Sequence, residues 1–277
     1  MRRLRSALVA VGLLLAGLAF ALEPTSLPVV TFFVASDSHF GAEGMAEVNR
    51  VLVGQLNTLP GTEYPPEVGG RVDEPRGVLF TGDTTDTGTL EEFAQFEEVY
   101  GLTGRDGLLR FPVFEAIGNH DLNETSPIKP RVVARHGGVD YSFDWEDLHV
   151  VCLDMYPDAP TVAFLSRDLA RVGRERPVIL FFHYSIEGYY SDNWEHQEKL
   201  AFARAIQGYN VLAIFHGHEH RMGHYTWQGH PVFRPGAPRH RSHHFLAVRV
   251  GAREMAVAAR NFDDRKWDES WIVPIRR

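Results

Sequence analysis

The chain has 277 residues, 44% of them apolar and 23% charged, with a formal net charge of −8. This is ordinary globular composition, which excludes a collagen-like rod, a coiled coil and an extended disordered chain. A single cysteine, Cys152, excludes an internal disulfide framework and a thiolate metal cluster, and the acidic balance argues against nucleic acid or an anionic membrane surface as partner.

The first elements are an address. Arg2, Arg3 and Arg5 precede an apolar run over residues 7–21 that closes on Ala19-Phe20-Ala21. This is the pattern of a cleaved secretory leader, and the run is short of the ~20 residues a spanning helix needs. The expectation is a signal peptide at 1–21, export to the periplasm or beyond the cell, and a single domain over 22–277 with no membrane span. A retained N-terminal anchor is the alternative. Cleavage removes three arginines and no acid, so the charge moves from −8 to −11.

A buried strand is predicted over 29–36, then a helix over 44–59, where Met45, Val48, Leu52 and Leu56 recur at helical spacing. Eight glycines and prolines in 60–77 mark a loop. A strand at 78–81 precedes Thr89-Leu90-Glu91-Glu92, a capping box that opens a helix through 99. Further on come a strand at 113–117, a helix from 126 to 136, a hairpin of 141–143 with 148–153, a helix at 164–172, a strand at 178–182, a helix at 193–206 and a strand at 211–215. Short strands follow at 224–227, 231–233, 245–250 and 255–259. Cys152 lies inside an apolar strand and reads as an inert core residue. The alternation followed by a β-rich tail indicates an α/β protein with a mixed sheet system.

Five of these strands stop on residues that bind hard or borderline metals. They end in Asp37-Ser38-His39, Gly82-Asp83-Thr84-Thr85-Asp86, Gly118-Asn119-His120-Asp121, His183, and His216-Gly217-His218-Glu219-His220. Ligands of open α/β sheets bind outside the carboxyl ends of the strands, so five such ends would converge oxygen and nitrogen donors on one place. Strand alternation predicts that Asp37 and His39 point together, and likewise His218 and His220. Carboxylate, imidazole and amide without thiolate suit Fe, Mn, Zn, Ni or Co. Each motif alone could be an ordinary turn or a solvated strand face; the order and strand context of all five argue otherwise.

The series Asp37-x-His39, Gly82-Asp83-x-x-Asp86, Gly118-Asn119-His120-Asp121, His183 and Gly217-His218-x-His220 resembles the calcineurin-like metallophosphoesterase superfamily, with all five blocks in the family's order. The resemblance implies a four-layer αββα sandwich flanked by helices and a site for two divalent or trivalent metal ions. Asp37, His39 and His220 would hold one metal, Asn119, His183 and His218 the other, and Asp83 with a hydroxide would bridge them. His120 would face the phosphate and serve the leaving oxygen, and Asp86 would orient His120. The implied reaction is hydrolysis of a small phosphorylated substrate, a phosphomonoester in the first instance.

Two departures narrow the branch. Purple acid phosphatases carry Tyr where Asp86 stands, so no Tyr–Fe colour is expected. The Ser/Thr protein phosphatases carry Arg-Gly after that aspartate and Gly-Asn-His-Glu, where this chain has Thr87-Gly88 and Gly-Asn-His-Asp. For substrate contacts, Tyr184, Tyr189, Tyr190 and Trp194 are candidates for an aromatic wall, and Arg221, Arg239 and Arg241 for holding a second phosphate. Core packing and solvated surface are the alternatives. A phosphodiesterase acting on a nucleotide or phospholipid head group, and a non-catalytic metal or phosphate binder, stay open. A metallo-β-lactamase-type hydrolase is disfavoured, because Glu219 and His220 break the spacing it needs.

Overall fold

A computed structural model describes residues 29–123, 126–240 and 242–275; the expected leader at 1–21 and Arg241 lie outside them. The first half runs β1 (Val30–Ala35), α1 (Met45–Thr58), β2 (Val78–Phe80), α2 (Leu90–Val99), β3 (Val113–Glu115), α3 (Ile128–His136), β4 (Asp140–Trp145) and β5 (Leu148–Leu153). The second runs α4 (Ala159–Val172), β6 (Val178–Phe181), α5 (His196–Ile206), β7 (Val211–Phe215), β8 (Met222–Trp227), β9 (His230–Pro235), β10 (His244–Val250), β11 (Glu254–Asn261) and β12 (Trp267–Pro274).

The strands form two six-stranded mixed sheets, ordered β12-β11-β10-β1-β2-β3 and β4-β5-β6-β7-β9-β8. β1, β2 and β3 run parallel, as do β5, β6, β7 and β9. Strands buried on both faces read as continuous apolar runs, and β1, β5 and β7 are buried along their whole length. Alternate residues of β1 serve different layers. Phe32 and Val34 meet Val150, Ile179 and Phe215 of the other sheet. Phe33 and Ala35 pack instead under α1 and α2 against Leu52, Leu56, Phe93 and Phe96. A third core joins the outer face of the second sheet to α4 and α5 through Leu165, Leu169, Phe202 and Ile206. The result is a helix–sheet–sheet–helix stack, the αββα layering expected. Among the described residues no helix is long and apolar enough to cross a membrane.

Three boundaries differ from the periodicity reading. α4 begins five residues before 164, because Asp158 caps it by accepting from the Thr161 N–H and a proline sits in its first turn. α5 begins at His196, and a short 3₁₀ turn, Ser191–Asn193, precedes it. β12 is an additional edge strand; its charged and proline residues hide it from a propensity reading. The capping box on α2 forms in both directions, Thr89 with Glu92.

Candidate metal centre

The parallel strands of both sheets deliver their carboxyl ends to one edge, and the loops there are laced together. The chain after β1 runs beside the chain after β2: the Asp37 N–H donates to the Gly82 carbonyl (3.0 Å), and the His39 N–H to that of Asp83 (3.1 Å). Asn49 of α1 donates to the Ser38 carbonyl and accepts from the Tyr100 hydroxyl, both at 2.8 Å. Asp121 ties in the third loop. Its buried carboxylate accepts from the N–H of Gly118 (2.9 Å) and from N–H and hydroxyl groups of Thr84 and Thr85. The two sheets are stitched where the His218 N–H reaches the Asp37 carboxylate (3.2 Å) and the His183 Nδ1–H donates to the Thr81 carbonyl (2.8 Å).

Three groups of potential ligand atoms result among the described residues. Two of them share Asp83: Asp37, His39, Asp83 and His220 form one, and Asp83, His183 and His218 another; the third, His39, Asp86 and His120, shares His39 with the first. In the first, His39 Nε2 and His220 Nε2 stand 3.1 Å apart, and His220 Nε2 is 3.2 Å from Asp37 Oδ1. In the second, His183 Nε2 lies 3.0 Å from Asn119 Oδ1. Asp83 is common to both: its Oδ2 is 3.6 Å from His39 Nε2 and 3.3 Å from His183 Nε2. Its Oδ1 accepts from the His120 N–H at 2.8 Å.

The donors are held in strained backbone. Asp37, His39, Asp83, His218 and His220 all have positive φ, between 44° and 70°, a region costly for residues other than glycine. Convergence of Asp37 with His39 therefore arises from left-handed turns beyond the strand ends, not from the strand alternation anticipated. His218 and His220 point into different groups. Gly82, at φ +97°, packs so closely that a Cβ there would lie 2.7 Å from His183 Nδ1.

The electrostatics show what each group wants. Burial opposes charge on His183, but Asp83 and Asp37 outweigh it and push its pKa up to about 9. His220 is likewise raised, by Asp37 and Asp83 against burial. Burial and neighbouring imidazoles hold His39 and His218 down at about 4. Asp37 and Asp83 stay below the carboxylate range because the histidines overcome their desolvation. Each group thus contains one histidine whose charged form the carboxylates favour.

The remaining candidates fall as follows. His120 Nδ1–H donates to the main-chain carbonyl of Asp86 (2.7 Å), while the Asp86 carboxylate is 3.9 Å away. That carboxylate instead lies 3.2 Å from His39 Nδ1 and accepts from Arg239 at 2.6 Å. Orientation of His120, assigned to Asp86 by resemblance, thus comes from the Asp86 main chain. The Tyr184 ring lies 4.8 Å from that of His218 and the Tyr190 ring 5.5 Å. Trp194 is core, packed on Phe182 and Phe202 with its Nε1–H on the Ser185 carbonyl. His216 is buried and bonded to the Tyr225 hydroxyl, apart from both groups. Arg221 lines a cavity next to His220. Asn49 and Asp121 were not singled out as site residues, although Asp121 stands inside a quoted motif. Asn193 was missed altogether; its side-chain amide is 2.9 Å from His218 Nε2.

The profile of the calcineurin-like phosphoesterase family matches residues 30–222. No curated protein matches the chain. Among solved structures, a dimetal phosphatase from Danio rerio is similar with a TM-score of 0.68 at 14% identity, over 90% of this chain and 100% of that one. GAP50, described as the anchor in the inner membrane complex of Plasmodium, gives 0.65 at 10% identity over 90% of each chain. A purple acid phosphatase from yellow lupin gives 0.61 at 15% identity, over 88% of this chain and 53% of that one. At these identities the likeness is one of fold.

Proposed function

The chain belongs to the calcineurin-like phosphoesterase family, and on that premise we propose that it is an exported, metal-dependent hydrolase of phosphate esters, with monoesters its first substrates. The observation that carries this reading is the sharing of Asp83 between two groups of donors drawn from both sheets.

The donor set fits two cations. Ligands at ~2.1 Å from a common ion stand ~3.0–3.4 Å apart at octahedral or tetrahedral angles; four of the separations, at 3.0–3.3 Å, match, and His39–Asp83 at 3.6 Å is slightly wider. Two ring nitrogens facing each other at 3.1 Å, His39 and His220, are close enough to share a hydrogen or to bind a common cation in its place. Asp37, His39 and His220 would hold one ion, Asn119, His183 and His218 the other, and Asp83 both. His183 is oriented for this: its Nδ1–H is committed to the Thr81 carbonyl, and its Nε2 faces Asn119 and Asp83, where a cation would take the place of the Nε2 proton. The donors suit Fe, Mn, Zn, Ni or Co. Bound there, a metal pair neutralises phosphoryl charge and lowers the pKa of water.

The chain's own residues supply the rest. Asp83 fixes His120 by accepting its main-chain N–H, and the Asp86 carbonyl fixes its ring. That leaves His120 Nε2, on a side chain 39% exposed, to give a proton to the leaving oxygen. A positioned acid contributes ~10²–10⁴-fold. Asp86, pinned by Arg239, holds His39 with Nε2 toward the first group. A pure binder has no use for an oriented, half-exposed His120, which favours the enzyme. The leader motif at 1–21 supports export.

The test is a panel on the metal-loaded protein, p-nitrophenyl phosphate against bis(p-nitrophenyl) phosphate, with metal content measured alongside. Two metal equivalents and faster turnover of the monoester are expected. Faster turnover of the diester would replace the monoesterase reading, and tight metal binding with no turnover of either would leave the binder.

A further inference from the structure

A cavity of about 800 Å³ opens beside the first group, and His220 belongs to both. A phosphoryl group held between the two groups of ligands would leave this space for the rest of the ester. Its walls carry two unlike features. On one side stand the rings of Tyr189 and Tyr190, 84% and 47% exposed and meeting edge to face at 4.8 Å. The same lining includes Arg221, next in the chain to His220.

Arg221 is exposed, and among the described residues it has no hydrogen-bond or ion-pair partner. Arg50, Arg76, Arg176, Arg234 and Arg239 each pair with a carboxylate; other exposed arginines such as Arg105 and Arg167 do not, but Arg221 is the arginine that lines this cavity. The single carboxylate among the described lining residues, Glu219, is itself turned onto Arg234. The His240 ring lies 5.0 Å from that of His220 on the same wall. A chain of net charge −8 thus presents, in the lining of this cavity, an unpaired guanidinium together with two tyrosine rings. Guanidinium forks bind phosphate and carboxylate with two parallel N–H donors, and tyrosine rings offer rigid apolar area to an organic group.

We propose that the cavity takes the organic part of a phosphate ester bearing a second anionic group, phosphate or carboxylate, and that Arg221 is the residue that selects for it. This rests on the phosphoesterase reading. The test compares kcat/KM for p-nitrophenyl phosphate, a ring-carboxylated analogue and an ester bearing a second phosphate, on the full metal-loaded protein and its R221A and R221K variants. R221A is expected to lower kcat/KM for the doubly anionic esters about tenfold relative to p-nitrophenyl phosphate, the low end for a charged hydrogen bond because the site is exposed. The loss should fall on KM, shrink with added salt and be partly restored in R221K. A loss confined to the phosphate-bearing ester assigns the subsite to phosphate; a loss on both admits carboxylate.

Calorimetric binding of 3-phosphonopropanoate against methylphosphonate provides a readout without turnover, and R221A should narrow the preference for the former. An equal loss on all three esters, or an unchanged calorimetric preference, overturns the inference. Metal-loaded protein that hydrolyses none of the esters overturns the hydrolase reading instead, and the calorimetric comparison still decides the subsite.

Discussion

Gly118→Ala isolates the role of Asp83. Gly118 has φ −108° and ψ 174°, a conformation any residue adopts, so alanine brings no backbone penalty. The cost is steric: its Cβ would lie 2.1 Å from Asp83 Oδ1 and 2.3 Å from the Asp83 nitrogen, where ordinary contact begins at 3.4 Å. Asp83 must therefore yield by about 1 Å, at an overpacking cost of ~1–3 kcal/mol. For a chain of this size that lowers Tm by roughly 2–10 °C. Displacement of this order at a positioned group costs about 10²-fold in rate. Because the Asp83 nitrogen is struck as well as Oδ1, the residue moves as a whole and carries with it the Oδ2 that faces both groups, so metal content should fall at both together. Gly54→Ala is the control, since Gly54 lies in α1 with nothing within 4 Å of its Cβ; it should gain ~0.5–1 kcal/mol. Metal analysis after dialysis, thermal melts and turnover give the three readouts. A Gly118→Ala protein that keeps two metal equivalents, wild-type Tm and wild-type rate refutes the reasoning.

Other outcomes follow from the same geometry. His120→Ala should lose ~10²–10⁴ in kcat while keeping its metal, whereas Asp83→Asn should lose both; equal metal depletion in the two would contradict the division of roles. Chelation should abolish turnover and lower Tm, because an ion at 100 times its dissociation constant stabilises by ~2.7 kcal/mol; a melt unmoved by chelator would count against bound metal. His149 lies 2.7 Å from both Asp144 and Asp168, and their hydrogen bonds overcome its burial and raise its pKa above 6.5. Its stabilisation is therefore complete below pH 6.5 and lost as pH rises through the raised value. The Tm gap between wild type and His149→Gln should shrink on going from acid to alkaline buffer, and a gap that widens would reverse the sign.

That these side chains would converge was legible because metal chemistry restricts residue type and parallel strands all end on the same side, so composition and order sufficed. The conformation that aims them was not legible: nothing in Asp37-Ser38-His39 announces left-handed backbone at both donors, so alternation paired Asp37 with His39 for the wrong reason and wrongly paired His218 with His220. Tertiary partners far along the chain were also hidden. Arg239 reaches Asp86 and Asn193 reaches His218 across long separations, and neither forms a local pattern. In Trp194 the aromatic signal was real, but the ring served the core.

The ligands come from both sheets: the loops after β1, β2 and β3 on one side, those after β6 and β7 on the other. Metal held there would tie the two sheets of the sandwich to each other through their strand-end loops. Wherever the surrounding medium is starved of transition metals, the protein should thus lose mechanical cohesion along with chemistry. Proteases would then find the strand-end loops before they find the helices, making metal supply a control on the lifetime of the molecule as well as its rate.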